Sequence, residues 1–244
     1  MSADPVQPTR PVYVVGVDLG QVNDPTAIAI LEASGRGLEA RFEVQHFWRP
    51  LGKPYTYIAD RVRAIVEKLA KKGEPIVGFD QTGVGRAVAD ILRAAEIPAP
   101  LYGITITAGD SVTREGNEFH VPKRDLVAAL QVAFQNGKIK IARRLSLTEL
   151  FTRELLNFRV KVTSAGSEVF EAWRSGQHDD TVLAVAIAVW IYRQTRAREF
   201  DLVRWAELEM KARAAAAAAG PIAGPPEPNT SKMVTWPPPG TTII

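Results

Sequence analysis

Residues 12–20 read Val-Tyr-Val-Val-Gly-Val-Asp-Leu-Gly, an apolar and largely β-branched run that ends in an acid and a glycine. This composition predicts a buried β-strand with Asp18 at its carboxyl end. The turn-forming sequence Asn-Asp-Pro follows at residues 23–25, and a second apolar run begins at Thr26. The two runs therefore predict an antiparallel hairpin that opens the domain.

The third predicted strand, residues 40–48, alternates polar and apolar side chains with the period of two that is typical of a half-buried strand. His46 falls on the same side as Phe42 and Val44, which predicts that it is partly buried. Three antiparallel strands are thus expected at the start of the fold.

The spacing of apolar residues then changes from two to that of a helix over residues 58–69. A short strand is expected at residues 76–80, a second helix at 88–95 and a further strand at 101–105. Because parallel neighbours need crossovers of this length, these strands should pair in parallel. We therefore expect an α/β fold with a mixed β-sheet, in which crossover strands follow the three antiparallel ones and helices cover both faces.

The second half of the chain is predicted to continue with helices and short strands. Pro122 is expected at the first position of a helix, and Ser146 with Glu149 has the spacing of a capping box. The remaining expected elements are a short strand at 139–141, a hairpin formed by 160–163 and 169–172, and a helix at 181–192 that is apolar on all sides and so buried.

Composition suggests how the chain is divided. A flexible N-terminus is expected at residues 1–11, one domain at 12–195, a C-terminal helix at 196–219, and a disordered tail rich in Pro and Gly at 220–244.

The overall composition limits the chemistry. The chain has 244 residues, a formal net charge of +3 and no cysteine, which excludes disulfides, zinc ribbons and thiol catalysis. Its longest apolar run is too short to span a bilayer, so we expect a soluble, cytoplasmic protein without a membrane partner. The charge is compatible with an anionic partner. The candidate phosphate contacts are two pairs of cations, Lys123 with Arg124 and Arg143 with Arg144.

Acids occur where apolar elements meet loops. Asp18 and Asp80 end predicted strands, and Asp179 and Asp180 precede the buried helix. Each alone is more typical of a turn or cap, and Asp180 could be the N-cap of that helix. If the two strands are adjacent and parallel, their acids lie side by side. Because clustered carboxylates repel one another, a divalent cation such as Mg²⁺ would account for all of them.

Two neighbouring features are less specific. His178 could be a ligand or a proton shuttle, although a structural histidine is the commoner case. Gly83-Val84-Gly85 resembles a phosphate-binding loop, because glycines precede a predicted helix. It lacks the glycine spacing of the dinucleotide-binding fingerprint, so a plain tight turn is expected.

Four motifs carry a family resemblance. They are Val-Gly-Val-Asp-Leu-Gly (15–20), Asn-Asp-Pro-Thr-Ala (23–27), Gly-Phe-Asp-Gln-Thr-Gly-Val-Gly (78–85) and Gly-Gln-His-Asp-Asp-Thr-Val-Leu-Ala (176–184). These motifs are similar to the nuclease domain of phage large terminases, within the RNase H-like superfamily.

The resemblance implies a metal-dependent DNA endonuclease that cuts phage DNA during genome packaging, with a two-metal site for Mg²⁺ or Mn²⁺. It implies Asp18, Asp80 and Asp179 as metal ligands, with Asp180 and His178 as catalytic candidates beside them. The implied setting is the cytosol of a bacterial host.

The chain departs from complete large terminases in one respect, because it has no Gly-x-x-x-x-Gly-Lys-Ser/Thr motif. A packaging ATPase is therefore expected as a separate partner. The resemblance also implies double-stranded DNA, a small terminase and a portal as partners. A junction resolvase, a non-catalytic packaging or scaffolding subunit, and the ATP-binding fold of actin and sugar kinases remain alternatives.

Overall fold

The computed structural model describes residues 10–20, 24–36, 39–83, 85–142, 144–164 and 179–196. The chain divides into two compact units, Met1–Phe200 and Asp201–Ile244, and all described residues belong to the first. The strands are β1 (Val12–Asp18), β2 (Ala27–Ser34), β3 (Arg41–Trp48), β4 (Glu74–Asp80), β5 (Leu101–Thr107), β6 (Thr113–Glu115), β7 (Glu118–Pro122) and β8 (Ile139–Ile141). The helices are α1 (Tyr55–Ala70), α2 (Gly85–Ala94), α3 (Lys123–Gln135), α4 (Thr148–Ser164) and α5 (180–196).

The eight strands form one mixed sheet in the order β6-β7-β5-β4-β1-β2-β3-β8. β1, β2 and β3 are antiparallel, whereas β4 pairs in parallel with both β1 and β5. The predicted mixed sheet is therefore confirmed, with β1 and β4 at its centre. The predicted short strand at 139–141 is also present, as β8 beside β3.

The sequence did not predict the β6-β7 hairpin. Residues 107–119 are rich in Gly, Asp and Ser, a composition typical of a loop, but β7 pairs in parallel with β5 and turns back through Gly116 at a φ of 57° to pair with β6. β6 consists of three exposed polar residues. β7 is only five residues long and places Phe119 and Val121 in the core, so its alternation of polar and apolar residues is brief.

Helices cover both faces of the sheet, as predicted. On one face, α1 and α2 pack through residues such as Ile58 and Leu92. On the other, α3, α4 and α5 pack against a second core that includes Phe42 and Phe151. Among the described residues, no helix combines the length and apolarity needed to cross a membrane.

The prediction that His46 is partly buried is wrong. The pairing of β2 with β3 shifts between Ile30 and Leu31. As a result, the consecutive residues Gln45 and His46 are both exposed, and Phe47 is buried instead of His46. An extra residue in a strand reverses the alternation of all residues after it.

Two predictions for α4 are also wrong. This helix begins at Thr148, after Leu147 at a φ of 70°, so Ser146 is not its N-cap. It then continues through Ser164, which replaces the predicted strand at 160–163. The partner strand of that hairpin, 169–172, lies outside the described residues, as do 1–9 and 197–244.

α5 is buried on all sides from Asp180 to Tyr192, as its apolar composition predicted. It reaches the sheet closely because β1 and β4 have glycines beneath it. A Cβ on Gly16 would collide with the carbonyl oxygen of Ala184, and one on Gly78 would lie 3.0 Å from Ile187 Cγ2. These two glycines therefore set the height of α5 above the centre of the sheet.

Candidate active site

The acids that end β1 and β4 are neighbours. In the parallel register, Gly16 lies beside Gly78 and Val17 beside Phe79, so Asp18 and Asp80 follow side by side. Alternate residues of a strand share one face, and both acids therefore lie on the side of the sheet that the two glycines open to α5. The convergence that the sequence predicted at this edge is present.

A turn at the end of β4 fixes Asp80. Its Oδ1 accepts a hydrogen bond of 2.7 Å from the Thr82 backbone N–H. The Thr82 hydroxyl oxygen in turn accepts one of 2.6 Å from the Ile106 N–H of β5. Asp80 is 8% exposed, so this turn holds a nearly buried carboxylate in place.

The other two acids begin α5. The Asp179 carbonyl oxygen accepts the Leu183 N–H at 2.9 Å, so Asp179 occupies the capping position and Asp180 is the first helical residue. The proposed N-cap role of Asp180 is thus taken by the residue before it. The helix N-terminus favours negative charge at both positions.

Arg49, the residue after β3, binds one of these acids. Its Nε and Nη2 donate hydrogen bonds of 2.9 and 2.6 Å to Asp180 Oδ2. Both side chains are largely buried, at 17% and 11% exposed. A guanidinium that donates two bonds from one plane fixes the carboxylate firmly.

The electrostatics show that the four acids form one cluster. Loss of water around Asp18 raises its pKa well above the usual value, and the charges of Asp80, Asp180 and Asp179 raise it further. Burial raises the pKa of Asp80 to about 6, against the hydrogen bonds from Thr82, which lower it. In both cases the Lys123 ammonium lowers the pKa. The carboxylates therefore repel one another and attract a cation.

Lys123 begins α3 directly after β7, and it is half-buried. The sequence predicted it as a phosphate contact, and the structure brings it to the carboxylates. Arg124 points elsewhere, with Nη1 2.6 Å from Asp110 Oδ1. Arg144 is exposed, and the structure gives it no contact with the acids, whereas Arg143 and His178 lie outside the described residues.

The donor set suits a hard divalent cation, since it consists of carboxylate oxygens that are partly deprived of water. Within the described residues, no three His, Asp or Glu side chains stand close enough together to ligate one ion as they are placed.

Sequence reasoning missed Arg49 and Glu154. Glu154 Oε2, from α4, accepts hydrogen bonds from the backbone N–H of Thr181, at 3.1 Å, and from its hydroxyl. Burial raises the pKa of Glu154, and its Oε1 has no hydrogen-bond partner among the described residues. An acid within the apolar face of a predicted helix was the signal that could have identified Glu154. Arg49 had only its position, at the end of a strand near this edge.

Loss of Arg49 should destabilise the protein. An Arg49→Met variant leaves Asp180 buried without its guanidinium, which is expected to cost roughly 3 kcal/mol of the free energy of unfolding. Chemical denaturation at pH 7 measures this cost, and the double variant with Asp180→Asn should recover part of it because the uncompensated charge is gone. If the single variant is as stable as the wild type, the ion pair does not hold the start of α5.

The fold and the cluster together define a class of protein. β1 and β4 are neighbouring parallel strands that both end in an acid, and two more acids stand at the start of the buried helix α5. β1 also forms an antiparallel hairpin with β2. This is the arrangement of an RNase H-like domain. The model of the terminase RNase H-like domain matches residues 15–192, and the chain belongs to this family. The family match favours this fold over the ATP-binding fold of actin and sugar kinases.

Curated relatives agree with this assignment. The chain is 26% identical over 202 residues to the terminase large subunit of Thermus phage G20c, covering 81% of this chain and 36% of that protein. The large subunit of Thermus virus P23-45 is 25% identical with the same coverage. The chain thus spans about a third of the length of these relatives.

Solved structures with a similar fold are more distant. The nuclease of the large terminase from thermophilic phage G20c, with bound zinc, is 18% identical with a TM-score of 0.44, covering 73% of this chain and 80% of that chain. The manganese-soaked terminase nuclease domain of human cytomegalovirus is 14% identical with a TM-score of 0.49, covering 80% and 90%. The family assignment therefore depends on the sequence match.

Proposed function

We propose that this chain is a divalent-cation-dependent DNA endonuclease that acts in phage genome packaging. The observation that carries the proposal is the cluster of Asp18, Asp80, Asp179 and Asp180 at one edge of the sheet, in which burial raises the pKa of Asp18 and Asp80 and the other three acids raise that of Asp18 further. The family to which the chain belongs supports the same conclusion.

Asp18, Asp80 and Asp179 would hold two cations, Mg²⁺ or Mn²⁺. When bound, such a pair activates water and stabilises the leaving 3′ oxygen of a phosphodiester. Asp179 is our choice of ligand over Asp180, because Arg49 already occupies Oδ2 of Asp180. Asp180 nevertheless influences Asp18 more strongly than Asp179 does, so it would add negative charge beside the cations.

The chain's own side chains do the remaining work. Arg49 orients the first turn of α5, and Thr82 holds Asp80 at the end of β4. Lys123 has its positive charge beside the carboxylates, where it could also contact a DNA phosphate. A packaging ATPase, a small terminase and a portal are the partners proposed for this activity.

The activity is tested with supercoiled plasmid, linear duplex and a four-way junction, each with Mn²⁺ and with EDTA. We expect the full chain to nick the plasmid and cut the duplex only with Mn²⁺. A strong preference for the junction would instead identify a junction resolvase. No cleavage, together with no Mn²⁺ binding by calorimetry, would indicate a non-catalytic packaging subunit.

The melting temperature provides a test independent of cleavage. A cation and protons compete for the same carboxylates, and Asp80 with a pKa of about 6 is mostly protonated at pH 5. Mn²⁺ should therefore raise the melting temperature by several degrees at pH 8 and far less at pH 5. An equal rise at both pH values would indicate that the ion binds elsewhere.

A further inference from the structure

The connection between β3 and α1, residues 49–54, is anchored to the carboxylate edge at both ends. Arg49 binds Asp180 at one end. At the other, the Tyr55 hydroxyl donates a hydrogen bond of 3.0 Å to the carbonyl oxygen of Gly20, two residues after Asp18. The connection is therefore held beside the candidate active site.

A third contact fixes the middle of this connection. The Thr26 N–H donates a hydrogen bond of 3.0 Å to the carbonyl oxygen of Pro50. The connection is thus tied to the residues that follow β1 and precede β2 and to the start of α5.

The connection and the start of α1 present apolar and aromatic groups to solvent. Leu51 is 60% exposed and Tyr57 is 49% exposed. The rings of Trp48 and Tyr57 lie 6.2 Å apart between centroids, so the exposed tyrosine is supported by a partly buried tryptophan. An exposed tyrosine presents a large apolar ring face together with a polar tip, which suits contact with a partner that has both apolar and polar groups.

Two cations flank the rings. Lys53 Nζ lies 5.7 Å from the centre of the Tyr57 ring, and the Arg61 guanidinium lies 5.5 Å from that of Trp48. The acid nearest along the helix, Asp60, is paired with Arg63 at 3.3 Å. The charges of Lys53 and Arg61 therefore leave this surface with a positive balance, and Arg49 at the start of the same connection contacts Asp180 of the carboxylate cluster.

We propose that Leu51, Lys53, Tyr57 and Arg61, here called the β3–α1 surface, bind a DNA strand next to the bond to be cut. The proposal rests on the proposed function and names a surface that guides its substrate. Lys53 and Arg61 contact phosphates, since a guanidinium stacked on a ring still presents N–H groups at its edge. Tyr57 packs its ring against the nucleotide between them, a contact that tolerates any base.

The surface explains how an acidic site could accept a polyanion. Cations beside the carboxylates supply the attraction that the acids oppose, and their contacts with phosphates position the strand without reading its sequence. Because Arg49 links this connection to Asp180, a strand bound here lies at a defined place relative to the carboxylates.

The chain offers a matched control, because α1 runs away from the carboxylate edge. Lys71 and Lys72, just after its far end, are exposed cations like Lys53 and Arg61. The test compares Lys53→Ala with Arg61→Gln against Lys71→Ala with Lys72→Ala. Both double variants are made in the full chain carrying Asp18→Asn, which prevents cleavage during binding.

The measurement is fluorescence anisotropy with a labelled DNA duplex and a labelled single strand, at several salt concentrations. We expect the first double variant to bind about tenfold more weakly at 0.1 M salt. Its salt slope on duplex should be shallower by roughly 0.9 for each phosphate that the protein no longer neutralises. The control should bind like its parent. Tyr57→Ala should weaken binding severalfold, whereas Tyr57→Phe should not.

Equal losses of affinity in the two double variants would overturn the proposal, as would unchanged binding in the first. A melting curve for each variant shows that the fold is retained. If the first double variant retains binding while the wild type still cleaves with Mn²⁺, the surface is wrong and the proposed function stands. If the wild type does not cleave, the proposed function fails, and the binding comparison still decides whether this surface contacts DNA.

Discussion

Replacing Asp18 by asparagine is expected to abolish Mn²⁺-dependent DNA nicking and, in the same protein, to raise the melting temperature measured without metal. Activity is lost because a proposed metal ligand loses its charge. Stability is gained because burial raises the pKa of Asp18 and the three other acids raise it further, so that its charge is unfavourable in the folded protein. A neutral amide removes that repulsion while keeping the size of the side chain. Asp80→Asn should behave in the same way.

The expected gain in stability follows from the direction of the shift. Below a pH of about 3.8, Asp80 is protonated in both the folded and the unfolded chain, so its raised pKa does not lower the free energy of unfolding. Between that value and about 6, the folded protein binds the extra proton, so stability falls as the pH rises. Above 6 the full cost remains, which is about 3 kcal/mol for a shift of this size.

The measurement is a melting curve in EDTA at pH 4.5 and pH 8 for the wild type, Asp80→Asn and Asp90→Asn. Asp90 is a well-exposed acid on α2, so its neutralisation should change little. We expect Asp80→Asn to exceed the wild type by several degrees at pH 8 and to match it more closely at pH 4.5. If Asp18→Asn or Asp80→Asn keeps its nicking activity, the assignment of the active site is wrong.

Gly16→Ala is expected to destabilise the protein severely, and more than Gly78→Ala. A methyl group on Gly16 meets the Ala184 carbonyl oxygen, which belongs to the backbone of α5 and cannot move without the helix. A methyl group on Gly78 would lie 3.0 and 3.1 Å from the Cγ2 atoms of Ile187 and Ile191, which need to shift by only a few tenths of an ångström. Overpacking of the first kind should cost about 3 kcal/mol or more, and of the second about 1 kcal/mol.

Chemical denaturation of the two variants gives both free energies of unfolding. Because α5 carries Asp180, Gly16→Ala should also lower the nicking rate at temperatures where it remains folded, while Gly78→Ala keeps most of it. Equal stability of the two variants would mean that the height of α5 is not set at Gly16.

The sequence predicted the parts of the fold that are encoded locally. The apolar run before Asp18 and the helical spacing of α1 contain their own periodicity, and the all-apolar composition of α5 indicates its burial. These elements are enough to place the strand-end acids side by side, once β1 and β4 are taken as parallel neighbours. That part of the site was therefore accessible without coordinates.

Other parts depend on contacts between distant residues. Arg49 and Asp180 are 131 residues apart, and nothing near either residue indicates that they pair. The bulge in β3 exposes His46 because one extra residue is accommodated against β2, which depends on the pairing and not on the pattern. Lys123 reaches the acids because β7, which the sequence did not predict, pairs with β5. These features required the three-dimensional arrangement.

The burial of α5 divides the acids of the cluster into two groups that a mutational survey would separate. Asp18 and Asp80 sit at strand ends, where neutral replacements should give more protein and no cutting. Asp180 belongs to a helix with no solvent-facing side along its first turns and is braced by a guanidinium, so its replacement should reduce both protein yield and cutting. Abundance and activity would thus be anticorrelated at the first two positions and correlated at the third. A survey that measured only a loss of cellular abundance would identify Asp180 and would miss Asp18 and Asp80.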